Sequence, residues 1–270
     1  MSASIRPPAV AGTFYPGDAA HLATQVAALL APLAPAPGPC PKAIIAPHAG
    51  YIYSGPTAAR VYATLAPWRT TIRRVILLGP THRVAVRGLA VPAADAFATP
   101  LGIIPIDRAA RASLAHLPQV VVSDHVHALE HSLEVHLPFL QTVLAEFQLL
   151  PLAVGEASPA AVAEVIECLW GGAETLIVVS TDLSHFLSYG AARDIDDATC
   201  RQILALDGTL LPEQACGAYP VNGLLLAARR GGLEPELLDL CNSGDTAGDR
   251  NRVVGYAAFA FHPSEPASHA

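Results

Sequence analysis

Short apolar runs recur along the chain, and helical patterns separate several of them. The clearest runs are Ala43–Ala46, Val75–Leu78, Val120–Val122, Leu149–Val154, Leu176–Val179 and Val253–Phe261. Runs without polar alternation are typical of strands buried on both faces, and their alternation with helices is typical of an α/β sheet. The sequence therefore predicts an α/β fold. Because 52% of the 270 residues are hydrophobic, we expect a single domain over residues 1–270.

Apolar residues at helical spacing predict four helices. These are Ala19–Leu30, Ala58–Leu65, Leu129–Phe147 and Val221–Arg229. In the third, a leucine stripe formed by Leu133, Leu137, Leu140 and Leu144 predicts a buried face, and His131 projects away from it. The interval 31–41 contains five prolines, which predict a stiff, non-helical connector.

Charge and cysteine content exclude several classes of protein. Sixteen Lys and Arg against 23 Asp and Glu give a net charge of −7, which argues against a nucleic-acid partner. The chain has no long apolar stretch for a membrane span, and residues 1–8 lack the hydrophobic centre of a signal peptide. Five widely spaced cysteines do not form a disulfide framework. We therefore expect a cytoplasmic protein without membrane association.

Three predicted strands are each followed by a histidine. His48 follows Ala43–Ala46, His82 follows Val75–Leu78, and His185 follows Leu176–Val179. If these strands are parallel, their carboxyl ends meet at one edge of the sheet, where ligands bind in such folds. Imidazole is the commonest transition-metal ligand and also a general acid or base, so the pattern indicates a metal or acid-base site. For any one of them alone, the alternative is a hydrogen-bonded loop residue.

Cys216 and His131 are two further candidates. Cys216 precedes the helical run at 221–229, and a helix N-terminus lowers the pKa of a thiol, so Cys216 is a candidate thiolate ligand; the alternative is an inert buried cysteine. Glu130 and Glu134 flank His131, which favours either a carboxylate-supported histidine in a pocket or an exposed one. The pattern does not decide between them.

Six motifs in order give the chain a resemblance to the Memo-like family, whose bacterial and archaeal members are often named AmmeMemoRadiSam system protein B. The motifs are 10–17 (VAGTFYPG), 46–55 (APHAGYIYSG), 78–82 (LGPTH), 130–139 (EHSLEVHLPF), 180–185 (STDLSH) and Cys216-Gly217. The resemblance implies a three-layer α/β sandwich with a central, largely parallel or mixed sheet, shared with class III extradiol dioxygenases.

The resemblance also implies three groups of site residues. They are His48, His82 and Cys216 as metal ligands, Asp182 and His185 as an adjoining catalytic pair, and Phe14, Tyr53 and His131 as substrate-binding residues. Fe(II) in the related dioxygenases is bound by two histidines and a carboxylate. A thiolate in the third position is softer, so the implied cofactor is Fe(II) or copper, with zinc as a further candidate.

Three functions fit these residues. The first is an iron- or copper-dependent redox enzyme that acts on a small organic or peptide substrate, in a pathway with a radical-SAM enzyme and an AMMECR-like protein. The second is a non-catalytic protein that sequesters a metal or binds a peptide in the same pocket. The third is a zinc hydrolase, because two histidines and a cysteine with an open position also describe catalytic zinc.

Overall fold

The computed structural model describes residues 3–33 and 38–264, so residues 34–37 of the predicted proline-rich connector lie outside the described residues. The strands are β1 (Ile5–Arg6), β2 (Ala43–Ala46), β3 (Arg74–Pro80), β4 (Leu89–Val91), β5 (Ala96–Thr99), β6 (Gly102–Pro105), β7 (Val120–Val122), β8 (Gln148–Val154), β9 (Thr175–Ser180), β10 (His185–Leu187), β11 (Leu233–Asn242) and β12 (Val253–Pro263). The α-helices are α1 (Ala19–Leu30), α2 (Tyr51–Ala63), α3 (Arg108–Ser113), α4 (Asp124–Ala128), α5 (Leu137–Val143), α6 (Pro159–Cys168), α7 (Tyr189–Leu204) and α8 (Ala218–Arg230).

A nine-stranded mixed sheet forms the centre of the fold. Its order is β10-β12-β2-β9-β3-β8-β4-β7, and β11 pairs with β12 from Gly255 to Pro263. The four middle strands β2, β9, β3 and β8 are mutually parallel, whereas β12 and β4 run antiparallel to their neighbours β2 and β8. The predicted α/β fold with a largely parallel or mixed sheet is confirmed.

Helices cover both faces of this sheet and complete the three layers. Consecutive strand residues point to opposite faces, so Ile44 contributes to a core with α1, α2 and α5, and Ile45 to a second core with α6 and α8. Both side chains are fully buried. No helix among the described residues combines the length and apolarity needed to span a bilayer.

The predicted elements differ in how well their limits hold. Helix α1 spans the predicted residues and is capped by Asp18, whose carboxylate accepts a hydrogen bond from the backbone N–H of His21. All six predicted strands are present. Helix α2 begins at Tyr51, seven residues before the predicted Ala58. Its first turns contain Pro56, a residue that usually marks a helix boundary.

The predicted helix over Leu129–Phe147 is wrong. Only Leu137–Val143 is α-helical, preceded by a 3-10 turn at Glu134–His136, and Leu144 is extended. Pro138 occupies the first turn of α5, where its missing N–H does no harm; within a longer helix it would break the hydrogen-bond ladder. The predicted leucine stripe is nonetheless buried throughout.

Several strands carry no recognisable pattern in the sequence. β1, β5 and β6 form a separate three-stranded sheet. β11 contains Pro235 and two glutamates. The proline is tolerated because β11 is an edge strand that pairs on one side only, with β12. These elements lie outside the parallel centre that positions the candidate site.

Candidate metal centre

The carboxyl ends of three neighbouring parallel strands define the site. His48 follows β2, Asp182 follows β9 and His82 follows β3, and β9 lies between the other two strands. The ring centroids of His48 and His82 are 5.2 Å apart. Parallel pairing thus brings together side chains that are 34 residues apart in the sequence, at the predicted edge of the sheet.

His131 completes a cluster of three histidines. One ring nitrogen from each of His48, His82 and His131 lies within 4.8 Å of the others. The side chain of His131 is 16% exposed and its ring stacks on that of His82, with centroids 4.6 Å apart. His131 is thus partly buried within the histidine cluster, and the segment that carries it is a loop and not a surface helix.

Cys216 lies next to one member of this cluster, His48, and is not itself within 4.8 Å of all three histidines. Its Sγ is 3.4 Å from Nε2 of His48 and accepts a hydrogen bond of 3.3 Å from the backbone N–H of Asp182. In a tetrahedral site with Zn–S of about 2.3 Å and Zn–N of about 2.0 Å, two such ligand atoms lie about 3.5 Å apart. Gly217 permits this approach, since a Cβ there would lie 2.5 Å from the carbonyl oxygen of Ser180.

The predicted low pKa of the Cys216 thiol is wrong. Cys216 does lie just before α8, but burial and the neighbouring Asp182 raise the pKa of the thiol to about 12. Desolvation of a thiolate outweighs the helix N-terminus here. Without a metal the residue is a neutral thiol, and metal binding there would release a proton.

Hydrogen bonds fix the tautomers of two histidines. Nδ1 of His48 lies 2.6 Å from Oγ of Ser180, and the single hydroxyl hydrogen of Ser180 is donated to the carbonyl of Ser132 at 2.7 Å. Nδ1 of His48 must therefore donate. His82 donates from Nδ1 to Oε1 of Glu130 at 2.9 Å. In both rings Nε2 is therefore the nitrogen that remains to bind a metal.

Burial keeps two of the histidines neutral. It lowers the pKa of His48 well below the usual value, assisted by repulsion from the neighbouring histidines. It also lowers the pKa of His131 to about 4. Neutral imidazoles bind metals without first losing a proton. The three histidines thus fit a metal site with nitrogen ligands.

Glu130 is the carboxylate that supports this centre. Burial alone would raise its pKa, but hydrogen bonds from the side chain and backbone of His82 and from the backbone of Ser132 lower it to about 2. Its Oε1 also accepts from the backbone N–H of His131 at 2.9 Å. Glu130 thus orients His82 through Nδ1, and its Oε1 also lies 3.4 Å from Nδ1 of His131, the residue beside which the sequence placed it.

Replacing Glu130 by glutamine should weaken metal binding about 10- to 100-fold, because an amide holds the His82 ring less firmly than a carboxylate does. Competition titration of the zinc-loaded protein against a chelator measures this change. Glu146→Gln, on the surface, is the matched control and should leave the affinity unchanged. Equal affinities for the two variants would contradict the supporting role of Glu130.

Asp182 and His185 both come after β9, and among the described residues no hydrogen bond joins their side chains. Oδ1 of Asp182 accepts from the backbone N–H of His48 at 2.8 Å, and burial raises its pKa to about 7. His185 donates from Nδ1 to the carbonyl of Leu183 at 2.7 Å, which leaves Nε2 free to accept a proton. The carbonyl of Leu183, and not Asp182, therefore orients His185.

The proposed substrate-binding residues Phe14 and Tyr53 lie on different elements. Phe14 packs against His131, with ring centroids 4.8 Å apart. Tyr53 lies in the first turn of α2 and is 38% exposed. The N-terminal segment that carries Phe14 is held by buried Glu134, which accepts hydrogen bonds from the backbone N–H groups of Ala9 and Val10.

The sequence interpretation missed the role of Ser180. Its hydroxyl links His48 to the carbonyl of Ser132 and so connects β9 to the loop that carries His131. The one available signal was its place at the end of a buried strand, directly before Thr181 and Asp182. Nothing in the spacing identified its partner.

Comparison with known proteins agrees with this architecture. The model of the Memo-like protein family matches residues 6–260. MEMO1 family proteins of Aquifex aeolicus and Methanopyrus kandleri are each 36% identical, over 95% of this chain and 99% and 98% of their own length, respectively. A crystal structure of an uncharacterized protein from Escherichia coli is 14% identical with a TM-score of 0.50, covering 81% of this chain and 98% of that one, and shows the shared fold alone.

The fold and the site define an α/β protein with a histidine-rich candidate metal centre at the carboxyl edge of a parallel sheet. The matches over nearly the whole chain add the family: the protein belongs to the Memo-like family.

Proposed function

We propose that this protein is a metal-dependent oxidoreductase, with Fe(II) or copper held by His48, His82 and Cys216, that oxidises a small organic or peptide-borne substrate. The observation that carries the proposal is the 3.4 Å approach of Cys216 Sγ to Nε2 of His48, a ring whose Nδ1 is anchored. Three protein ligands leave open positions on these metals, and iron or copper held there supplies electron transfer to O₂.

His185 is the proposed acid-base residue. Its Nδ1 is occupied by the carbonyl of Leu183, so Nε2 takes a proton from the substrate and returns it. The buried Asp182, with Oδ2 4.0 Å from Nε2 of His48, places a carboxyl group next to the ligand set. Phe14 forms an apolar wall over His131, and Tyr53 is proposed as a second wall.

The proposed setting is the cytoplasm. Five free cysteines support it, since thiols persist where the redox environment is reducing. The proposal includes a shared modification pathway with a radical-SAM enzyme and an AMMECR-like protein, which the family resemblance implies.

A second function is favoured by one observation, the presence of four candidate donors. If His131 binds together with His48, His82 and Cys216, a four-coordinate metal is enclosed and has no open position. Such a protein sequesters a metal, or binds a peptide in the same pocket, without turnover. Zinc would suit this closed arrangement.

Nitric oxide binding and O₂ uptake separate the two functions. Protein loaded anaerobically with Fe(II) is treated with nitric oxide, which occupies an open iron position and gives an electron paramagnetic resonance signal. O₂ uptake is then followed with a small-molecule fraction of the cells that contain the protein. The oxidoreductase predicts a nitric oxide adduct, and O₂ uptake that His185→Ala abolishes while metal content stays intact. Loaded protein without an adduct and without O₂ uptake would overturn it in favour of sequestration.

A further inference from the structure

A solvent-open cleft begins at the metal centre and leads away from it. The cleft has a volume of about 690 Å³, and two of the candidate metal ligands, His82 and Cys216, line it. Segment 83–87, between β3 and β4, forms one wall, and Tyr219 in the first turn of α8 lines the cleft as well. A second hollow of about 630 Å³ shares Arg87 and Tyr219 and reaches the start of α6.

Two arginines on this wall lack acidic partners. Arg83 and Arg87 are exposed, and among the described residues neither forms an ion pair or a side-chain hydrogen bond. Five of the fifteen arginines pair with carboxylates: Arg6 with Glu134, Arg73 with Glu146, Arg74 with Asp107, Arg108 with Asp95 and Arg230 with Glu167. Arg83 and Arg87 differ from the other arginines without a carboxylate partner in that both line the cleft that contains His82 and Cys216. In a chain of net charge −7, two unpaired arginines in one cleft are a local reversal of charge.

The inner arginine lies close to the metal centre. Arg83 directly follows His82 in the chain, and both residues line the cleft. Arg87 is four residues further along the chain, so its Cα lies at most about 13 Å from the Cα of Arg83. Glu156 also lines the cleft, so the charge of its three ionised side chains is +1.

The wall that carries both arginines is fixed. The backbone N–H of Glu156 donates to the carbonyl of Val86 at 2.9 Å, and that of Gly155 donates to the carbonyl of Gly88 at 3.0 Å. A Cβ at Gly155 would lie 2.0 Å from the carbonyl oxygen of Val86, so only glycine allows the two segments to meet. A fixed wall presents both guanidinium groups without ordering a loop on binding.

We infer that this cleft recognises the anionic group, a carboxylate or a phosphate, of a small organic substrate whose other end reaches the metal centre. The inference rests on the proposed function for the reaction, although anion binding itself does not need the metal. Guanidinium groups bind such oxygens through paired, charge-assisted hydrogen bonds. Arg83 binds the anion nearest the centre, and Arg87 extends the site to longer or doubly charged molecules.

Fluorine NMR of metal-free, full-length protein tests this inference. The probes are 4-fluorobenzoate, 4-fluorophenyl phosphate and the neutral 4-fluorobenzamide, and the measured quantity is the dissociation constant from line broadening. At least one anionic probe should bind about tenfold or more tightly than the amide, and Arg83→Gln should remove most of this preference. The tighter of the two anions identifies the preferred group.

The control is Arg60→Gln, an exposed arginine on α2 outside the cleft, which should not change binding. Equal binding of the anions and the amide would overturn the inference, and so would a preference that survives both Arg83→Gln and Arg87→Gln. Because the protein is metal-free, these results are independent of the metal centre. If the metal-free protein binds anions through these arginines, but the Fe(II)-loaded protein shows neither a nitric oxide adduct nor O₂ uptake, the oxidoreductase is refuted and the anion site stands.

Discussion

Glu134→Ala is expected to lower the free energy of unfolding by about 3–5 kcal/mol, because it leaves the buried guanidinium of Arg6 without its carboxylate. Glu134 is fully buried and also accepts from the hydroxyl of Tyr15 and the backbone N–H groups of Ala9 and Val10. All these donors would lose their acceptor together. Urea or guanidinium denaturation of metal-free protein measures the change.

Surface and double variants sharpen this test. Glu146→Ala, whose side chain is 88% exposed, should change the free energy of unfolding by no more than about 0.5 kcal/mol. The double variant Arg6→Met, Glu134→Leu should recover only part of the loss, since Ala9, Val10 and Tyr15 remain without an acceptor. A loss below about 1 kcal/mol for Glu134→Ala would refute this account of the N-terminal segment.

His82→Ala and Cys216→Ser are each expected to weaken zinc or iron binding by about a hundredfold or more. Structural zinc sites with four protein ligands have apparent binding free energies of about 10–16 kcal/mol, which is about 2.5–4 kcal/mol for each ligand. A loss of this size corresponds to the expected hundredfold or larger change. His131→Gln should have a smaller effect, because the observed approach of Cys216 to His48 favours sulfur as the third ligand. Chelator competition measures all three affinities.

X-ray absorption of the zinc-loaded protein identifies the ligand atoms directly. The wild type and His131→Gln should show a sulfur neighbour at about 2.3 Å, and Cys216→Ser should lack it. If the wild type shows nitrogen or oxygen neighbours alone and His131→Gln loses the metal, the ligands are the three histidines and the assignment of Cys216 is wrong.

The parallel centre of the fold was predictable because burial on both faces leaves an unambiguous apolar run, as in β2 and β9. From that, the meeting of His48 and His82 at one sheet edge follows by geometry. The segment from Leu129 to Phe147 was not predictable in this way. Its leucines have helical spacing, but its conformation is decided by hydrogen bonds that Glu130 accepts from His82 and Glu134 accepts from the N-terminal segment.

The finer parts of the site depend on partners that are distant in sequence. Glu130 is 48 residues from His82, and Ser132 is 48 residues from Ser180. The pKa of Cys216 depends on burial under neighbouring elements, which overrides the local rule for a helix N-terminus. Sequence patterns identify which residue types are available, whereas these pairings are fixed only by tertiary packing.

Metal analysis tests the central claim most directly. Protein purified anaerobically from cells supplied with iron and copper is compared with the double variant His48→Ala, His82→Ala. The account predicts nearly one iron or copper per wild-type chain and none in the variant. Equal metal content in the two proteins, or none in either, would contradict a metal centre at these histidines.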